Sequence, residues 1–254
     1  MACSSFINVG ATNKERSLRY PLTETQSDIT RLRKEYADRS KRGKNAGYYS
    51  FHNLSNLFLY QQRERDLLSL LKYGNLENLE DETILEIGCG SGGVLMDFIK
   101  YGVVPNKVSG VDLLFDRLQK SKSRLGSSKF VNSDGQYLPY PSRSFDIILQ
   151  FTAFSSILDL RVKQNMAEEM LRVLKDKGAI IWYDFWWNPT NPQTSGIKPY
   201  EIKQLFPNCF YSFRKVTLAP PISRRIVQIS WPIALILESL KIFNSHYLAL
   251  IKKR

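Results

Sequence analysis

The chain has 254 residues, of which 43% are hydrophobic and 24% charged, with 14 Gly and 11 Pro. That composition excludes collagen-like, low-complexity and wholly disordered chains, and the length suits one α/β domain with extensions. The net charge of +12 is unevenly spread. Residues 14–44 carry +5 and residues 198–254 carry +8, while the remainder sums to −1. Basic flanks on a neutral middle favour an anionic partner, although a solvated cationic face accounts for them equally well. No apolar run approaches the ~18 uninterrupted residues that would span a bilayer. The N-terminal MACSSFINVG has no basic stretch followed by an apolar one, and Cys3, Cys89 and Cys209 form no paired spacing. A soluble, cytoplasmic protein is expected, with no metal site.

In chain order, residues 1 to about 30 are polar and read as a loose arm. DITRLRKEYADRSKR, from Asp28, supports a short amphipathic helix, and Leu54 to Tyr73 a stronger one. Thr83–Ile87 is a strand running into glycines, followed by a helical pattern at Val94, Leu95, Phe98 and Ile99. Strand, helix and strand then recur at Lys107–Val111, Leu114–Leu125 and Lys129–Asn132. Phe145–Phe151 and Ala179–Tyr183 are further strands around a helix at Val162–Leu174. The tail offers strands at Tyr211–Leu218 and His246–Lys252, separated by a hydrophobic helical segment. This alternation predicts an α/β fold: a Rossmann-like, mostly parallel seven-stranded sheet with helices on both faces. Residues 1–72 are expected to form an N-terminal arm and helical cap, and residues 73–254 the main domain.

The sharpest local signal is Leu85-Glu86-Ile87-Gly88-Cys89-Gly90-Ser91-Gly92-Gly93, at a strand-to-helix turn. Gly88, Gly90 and Gly93 satisfy the GxGxxG spacing of dinucleotide sites, but Glu86 argues against that ligand. A carboxylate ending the strand would oppose a pyrophosphate and favour a ligand bearing an ammonium and a sulfonium, as S-adenosylmethionine does. Asp112 ends the second strand, twenty residues after Gly92, where a carboxylate can accept from ribose hydroxyls. Asp134-Gly135, after the third strand, can present a carboxylate and an N–H to adenine. Each of these acids alone also reads as an ordinary turn or cap residue.

Taken together, ILEIGCGSG at 84–92, GVD at 110–112, SDGQYLPYPSRSFDII at 133–148 and EEMLRVLKDKGAIIW at 168–182 resemble the class I S-adenosylmethionine-dependent methyltransferases. The resemblance implies S-adenosylmethionine as cofactor and S-adenosylhomocysteine as product. It assigns Glu86, Gly88, Gly90 and Gly92 to the methionine end, Asp112 to ribose, and Asp134 and Gly135 to adenine, with Cys89, Leu113 and Ser133 as further cofactor-binding residues. Gln150 and Phe151 match positions that face cofactor and substrate. Asp176-Lys177-Gly178 departs from the family's Pro-Gly-Gly turn. EYADRSKR, QFTAFSSILD, WYDF and TLAPPISRR look like a bacterial subgroup associated with polysaccharide and sugar pathways. That narrower likeness implies a sugar-nucleotide, lipid-linked sugar or glycan acceptor methylated on a hydroxyl.

A sugar hydroxyl would call for a general base. Asp184, after the fifth strand, stands where open α/β sheets bind ligands, and a cap or loop hydrogen bond accounts for it equally well. His52 lies on the capping segment and also reads as a plain loop residue, while His246 suits a structural role. Tyr36, Tyr48, Tyr49, Thr152, Tyr183 and Trp186 are expected on the acceptor side, with Trp187 beside them, against the plainer reading of core packing. Residues 224–243 combine an apolar body with flanking cations. They suit the inner face of a membrane, packing on the sheet, or a contact between copies. Two further activities remain: an RNA methyltransferase drawing on the basic flanks, and a quinone- or lipid-type C-methyltransferase. The first lacks an appended RNA-binding pattern.

Overall fold

The computed structural model describes residues 22–41, 50–188 and 191–254. Tyr48 and Tyr49 lie outside them. The described chain runs α1 (Leu22–Lys41), α2 (Leu54–Tyr73), β1 (Ile84–Ile87), α3 (Gly93–Lys100), β2 (Val108–Asp112), α4 (Phe115–Arg124), β3 (Lys129–Asn132) and β4 (Phe145–Phe151). It continues with α5 (Leu160–Val173), β5 (Leu174–Phe185), α6 (Pro199–Leu205), β6 (Cys209–Leu218), α7 (Pro220–Ile229), α8 (Trp231–Ser239) and β7 (Asn244–Lys253). One seven-stranded sheet has the order β3-β2-β1-β4-β5-β7-β6. Strands β1 to β5 are parallel, and β7 runs antiparallel to both β5 and β6. The expected Rossmann-like α/β sheet is what forms. Its order reverses between β1 and β4, and the crevice at such a reversal is where open sheets take ligands.

The alternation of side chains across the sheet divides the core into two layers. Leu85, Ile87, Ile148, Ile180 and Trp182 face α5 and α6. Ile84, Leu149, Ile181 and Leu248 face Leu67, Leu70 and Leu71 of α2 and Leu95 and Phe98 of α3. Helix α2 is thus built into the sheet's packing. The Lys252 ammonium donates to the Gly74 carbonyl at 2.9 Å, and Arg214 donates to the Ser69 hydroxyl at 2.8 Å.

Helix α1 begins at Leu22 rather than near Asp28. Its first turns are polar, and apolar periodicity cannot register a helix that starts with none. The helix is tied down by polar contacts. The Asp28 carboxylate accepts from the backbone N–H of Leu158 (3.0 Å) and Asp159 (3.2 Å), and Arg31 donates to the Ser156 carbonyl at 2.6 Å. Strand β5 outruns the expected Ala179–Tyr183 at both ends. The Lys-Asp-Lys-Gly stretch stays in the sheet through a register shift opposite Phe145–Ile147, held by an ion pair of 2.7 Å between Lys175 and Asp146. The hydrophobic segment before β7 is two helices. Ser230 ends α7 and caps α8 by accepting from the Ile233 N–H, with Pro232 in the first turn.

Candidate functional site

Strand β1 ends in a turn that only glycine geometry allows. The N–H groups of Gly88 and Cys89 both donate to the Val111 carbonyl, at 2.8 and 3.0 Å, folding the chain over the end of β2. Gly88 and Gly90 adopt φ of 71° and 54°. A Cβ on Gly88 would sit 2.8 Å from the Ala153 Cβ, and one on Gly90 would sit 2.9 Å from the Arg117 guanidinium. The turn opens into a cavity of about 320 Å³, large enough for a small ligand. Its floor is the C-terminal ends of β1, β2 and β4, and Ile29, Leu32 and Tyr36 of α1 wall it.

Among the expected residues, Glu86, Gly88, Cys89, Gly90, Asp112 and Leu113 line this cavity, as do Ser133, Asp134, Gly135, Phe151, Tyr36 and Thr152. Gly92 stays behind the turn as the N-cap of α3, with φ 76°. The Cys89 thiol is buried, which pushes its pKa up and keeps it protonated.

Glu86 is only 2% exposed, and its Oε2 has no hydrogen-bond partner. Burial raises its carboxyl well above the ordinary value. Asp112 adds to the rise, while Arg63 and Arg117 oppose it. A buried carboxylate with an unpartnered oxygen costs several kcal/mol of desolvation, on the order of what a cationic ligand would restore. Asp112 accepts from the Gly90 N–H through Oδ2 and from the Leu114 N–H through Oδ1, both at 2.8 Å. It pins the glycine turn to β2 and keeps a lone pair on each oxygen for a further donor. Asp134 accepts from the Gln136 N–H at 3.0 Å and the Gln136 amide at 3.1 Å. Ser133 donates to the Tyr137 carbonyl at 2.8 Å.

Five other expected residues lie elsewhere. Asp184 is 1% exposed, and its carboxylate accepts from the Gln150 amide (2.6 Å), the Ser155 N–H (3.0 Å) and the Phe185 N–H (2.8 Å). Side-chain parity on β5 puts it on the face of Trp182, beneath the 3₁₀ turn at Phe154–Ser156, and not on the cavity. Gln150 shares that face and is likewise withdrawn. Asp184 therefore acts as a buried staple. Asp184→Ala is expected to cost about 3 kcal/mol by stranding three donors, seen as a lowered melting temperature. The folded fraction should keep its affinity for an S-adenosylmethionine analogue. His52 is exposed in the turn before α2, on a shallow depression with Ser50, Asn53 and Gln228. Tyr183 is buried, with its hydroxyl 2.9 Å from Thr217 Oγ1 and its ring stacked between Phe151 and His246. His246 is structural: burial pushes its pKa down to about 3 and holds it neutral. Trp186 donates to the Asn244 carbonyl at 2.8 Å.

The sequence did not single out Arg117, the only Lys or Arg lining the cavity among the described residues, whose guanidinium lies 5.0 Å from the Tyr36 ring centroid. Its position in the first turn of the helix after Asp112 was a usable signal, because such turns face the ligand crevice. Ile157, Val162 and Met166, which complete the apolar wall, carried no such signal.

Comparison with known proteins agrees with this geometry. Residues 84–178 match the family described as Methyltransferase domain. The sterol 4-C-methyltransferase strm-1 of Caenorhabditis elegans is 30% identical over 148 residues, 53% of this chain and 41% of that protein. The ubiquinone/menaquinone biosynthesis C-methyltransferase UbiE of Azotobacter vinelandii is 28% identical over 108 residues, 40% of this chain and 42% of its own. The chain thus spans well under half the length of these relatives. Among solved structures, the geranyl diphosphate C-methyltransferase of Streptomyces coelicolor, in complex with S-adenosylhomocysteine, superposes with a TM-score of 0.54 at 16% identity, over 74% of each chain. Residues 84–178 are thus similar to a methyltransferase domain, and the fold is one that solved S-adenosylmethionine-dependent methyltransferases share. The residues present fit that cofactor: an unpaired buried carboxylate for its cationic end, a glycine cradle, and an acid at the end of β2.

Proposed function

We propose that this chain transfers the methyl group of S-adenosylmethionine to an apolar, lipid-like acceptor that is already nucleophilic, such as a carboxylate, a phenolate or an electron-rich carbon. The observation that carries the cofactor half is the buried Glu86 with its unpartnered Oε2 at the glycine turn. In this reading Glu86 and the carbonyl oxygens of the turn accept from the ammonium, and Arg117 holds the carboxylate. Asp112 holds the ribose hydroxyls, and Asp134 and Gly135 hold the adenine. When bound, the cofactor supplies an activated methyl group, and transfer is an in-line displacement for which positioning and exclusion of water do most of the work. Tyr36 and Phe151 offer ring faces to a sulfonium.

For the acceptor half, the support is the chemistry of the wall. Among the described residues, the acids lining the cavity are Glu86, Asp112 and Asp134, all given to the cofactor in this reading, and both expected bases, Asp184 and His52, lie outside it. With those three acids given to the cofactor, an unactivated sugar hydroxyl would find no base among the described residues that line the cavity. Ile29, Leu32, Ile157 and Met166 suit an apolar body. The sterol and quinone acceptors named for the relatives are of the same character. Incubation with methyl-labelled S-adenosylmethionine and separate lipid, glycan and RNA fractions tests this. Label in the lipid fraction, lost in Glu86→Ala, is expected. Label confined to glycan would restore the sugar hydroxyl, and label confined to RNA would reassign the basic flanks to phosphate.

A further inference from the structure

We infer that the outer face of α8 and the loop after it is a docking surface for an anionic phospholipid membrane. Ile233, Ile236 and Leu240 recur at helical spacing as a solvent-facing ridge of α8, Ile229 is exposed at the end of α7 before it, and Ile242 and Phe243 are exposed in the loop after it. Ile229 is 79% exposed and Ile242 67%, so the ridge is unlike the isolated apolar side chains of an ordinary surface. No described helix is long and apolar enough to cross a membrane.

Charge selects the occupant. Between Leu218 and Asn244 the chain holds Arg224, Arg225 and Lys241 and a single acid, Glu238. Glu238 is buried and bound to Lys241 at 2.6 Å and to Arg65 at 3.5 Å, so it offers nothing to the outer face. Arg225 is exposed on the preceding helix, and the Lys215 ammonium sits 4.5 Å from the centroid of the Trp186 ring at the foot of the loop. A cationic rim around an apolar ridge complements anionic headgroups over acyl chains. The same rim would repel a second copy of itself.

Topology gives the surface its use. The α7–α8 segment joins the end of β6 to the start of β7, and Leu218 pairs with Asn244 while Phe185 pairs with His246. The segment therefore rises from the sheet edge at which β5 ends, the edge onto which the cavity opens. Phe151, in the cavity wall, stacks on Tyr183 (5.5 Å), and Tyr183 on His246 (4.7 Å), a continuous aromatic path to the root of the ridge. Docking would bring the cavity's edge of the sheet to the lipid, which for an acceptor drawn from the bilayer rests on the apolar-acceptor reading.

The test is co-sedimentation of the full chain with vesicles of phosphatidylcholine alone or mixed with phosphatidylglycerol. Binding to the anionic vesicles is expected, weakened as salt rises from about 0.1 to about 0.5 M. The Ile233→Asp/Ile236→Asp variant should bind at least about tenfold less while keeping its unfolding temperature and S-adenosylhomocysteine affinity. Failure of the parent chain to sediment with anionic vesicles, or equal binding by the variant, would overturn the inference. So would a solution dimer of the parent chain that the variant dissolves, with no vesicle binding by either. Because the readout needs no methyl transfer, vesicle binding without lipid labelling would retain the surface and remove the acceptor reading. Labelling of detergent-dispersed lipid without vesicle binding would do the reverse.

Discussion

Glu86→Gln is expected to stabilise the free protein and, at the same time, weaken its hold on the cofactor. The carboxyl is buried with one oxygen unpartnered, and its pKa stands well above the unfolded value chiefly through loss of hydration. A raised folded pKa means that the native state binds the proton more tightly than the unfolded chain does. Its contribution to stability is whole below the ordinary carboxylate range and is lost as pH rises through the elevated value. The Gln variant lacks that slope. At the pH where Glu86 has ionised, the variant should gain about 1 kcal/mol or more, a rise in melting temperature of roughly 3 °C. A ligand bearing an ammonium reverses the balance by favouring the ionised carboxylate, so cofactor affinity should climb with pH through the same window. Calorimetric titration should show that climb in the parent protein. In Glu86→Gln it should be absent, with affinity lower by about tenfold to a hundredfold, the loss expected for a charge-assisted hydrogen bond. A variant less stable than the parent would mean that Glu86 is satisfied internally and is not held for a ligand.

Asp112→Ala should have the other large effect, for a different reason. Its two oxygens each cap one backbone N–H, those of Gly90 and Leu114, so the substitution strands two donors in a site 6% exposed. That costs roughly 3 kcal/mol, and it releases the glycine turn from β2. Cofactor affinity should fall by about a hundredfold or more, combining lost contacts to ribose with a turn that no longer holds its shape. Asp112→Asn separates the two contributions. It keeps one acceptor oxygen but presents an amine where Gly90 or Leu114 donates, so it should recover part of the stability and little of the affinity. Thermal unfolding and titration with S-adenosylhomocysteine read the two quantities independently.

Much of the fold was legible because its elements carry strong local patterns. Helix α2 occupies the residues its apolar spacing indicates, Leu54–Tyr73, and β3 and β4 occupy theirs. The glycine turn after β1 was legible too, because three glycines in five residues between a β-rich run and a helical one leave few alternatives. Helix α1 was only partly legible, since its early turns are polar and its place is set by Asp28 and Arg31 reaching residues more than a hundred positions away. The division of 224–243 into two helices follows from Ser230 and Pro232, a cap and a starter that the overall hydrophobicity of the segment obscured.

Sequence by itself thus determined the sheet, the order of its strands' chemistry and the acids that stand at their ends, because period, glycine and charge are properties of a few neighbouring residues. Tertiary structure decided which of those side chains share a cavity. Phe151 and Gln150 are adjacent in the chain, yet a strand sends neighbours to opposite faces, and Phe151 lines the cavity while Gln150 does not. Which face meets the crevice depends on the register of β4 against β1 and β5, a relation between segments tens of residues apart. The same long-range pairing brought Arg117 over the glycine turn beside Tyr36, and it left the ridge of α8 facing outward.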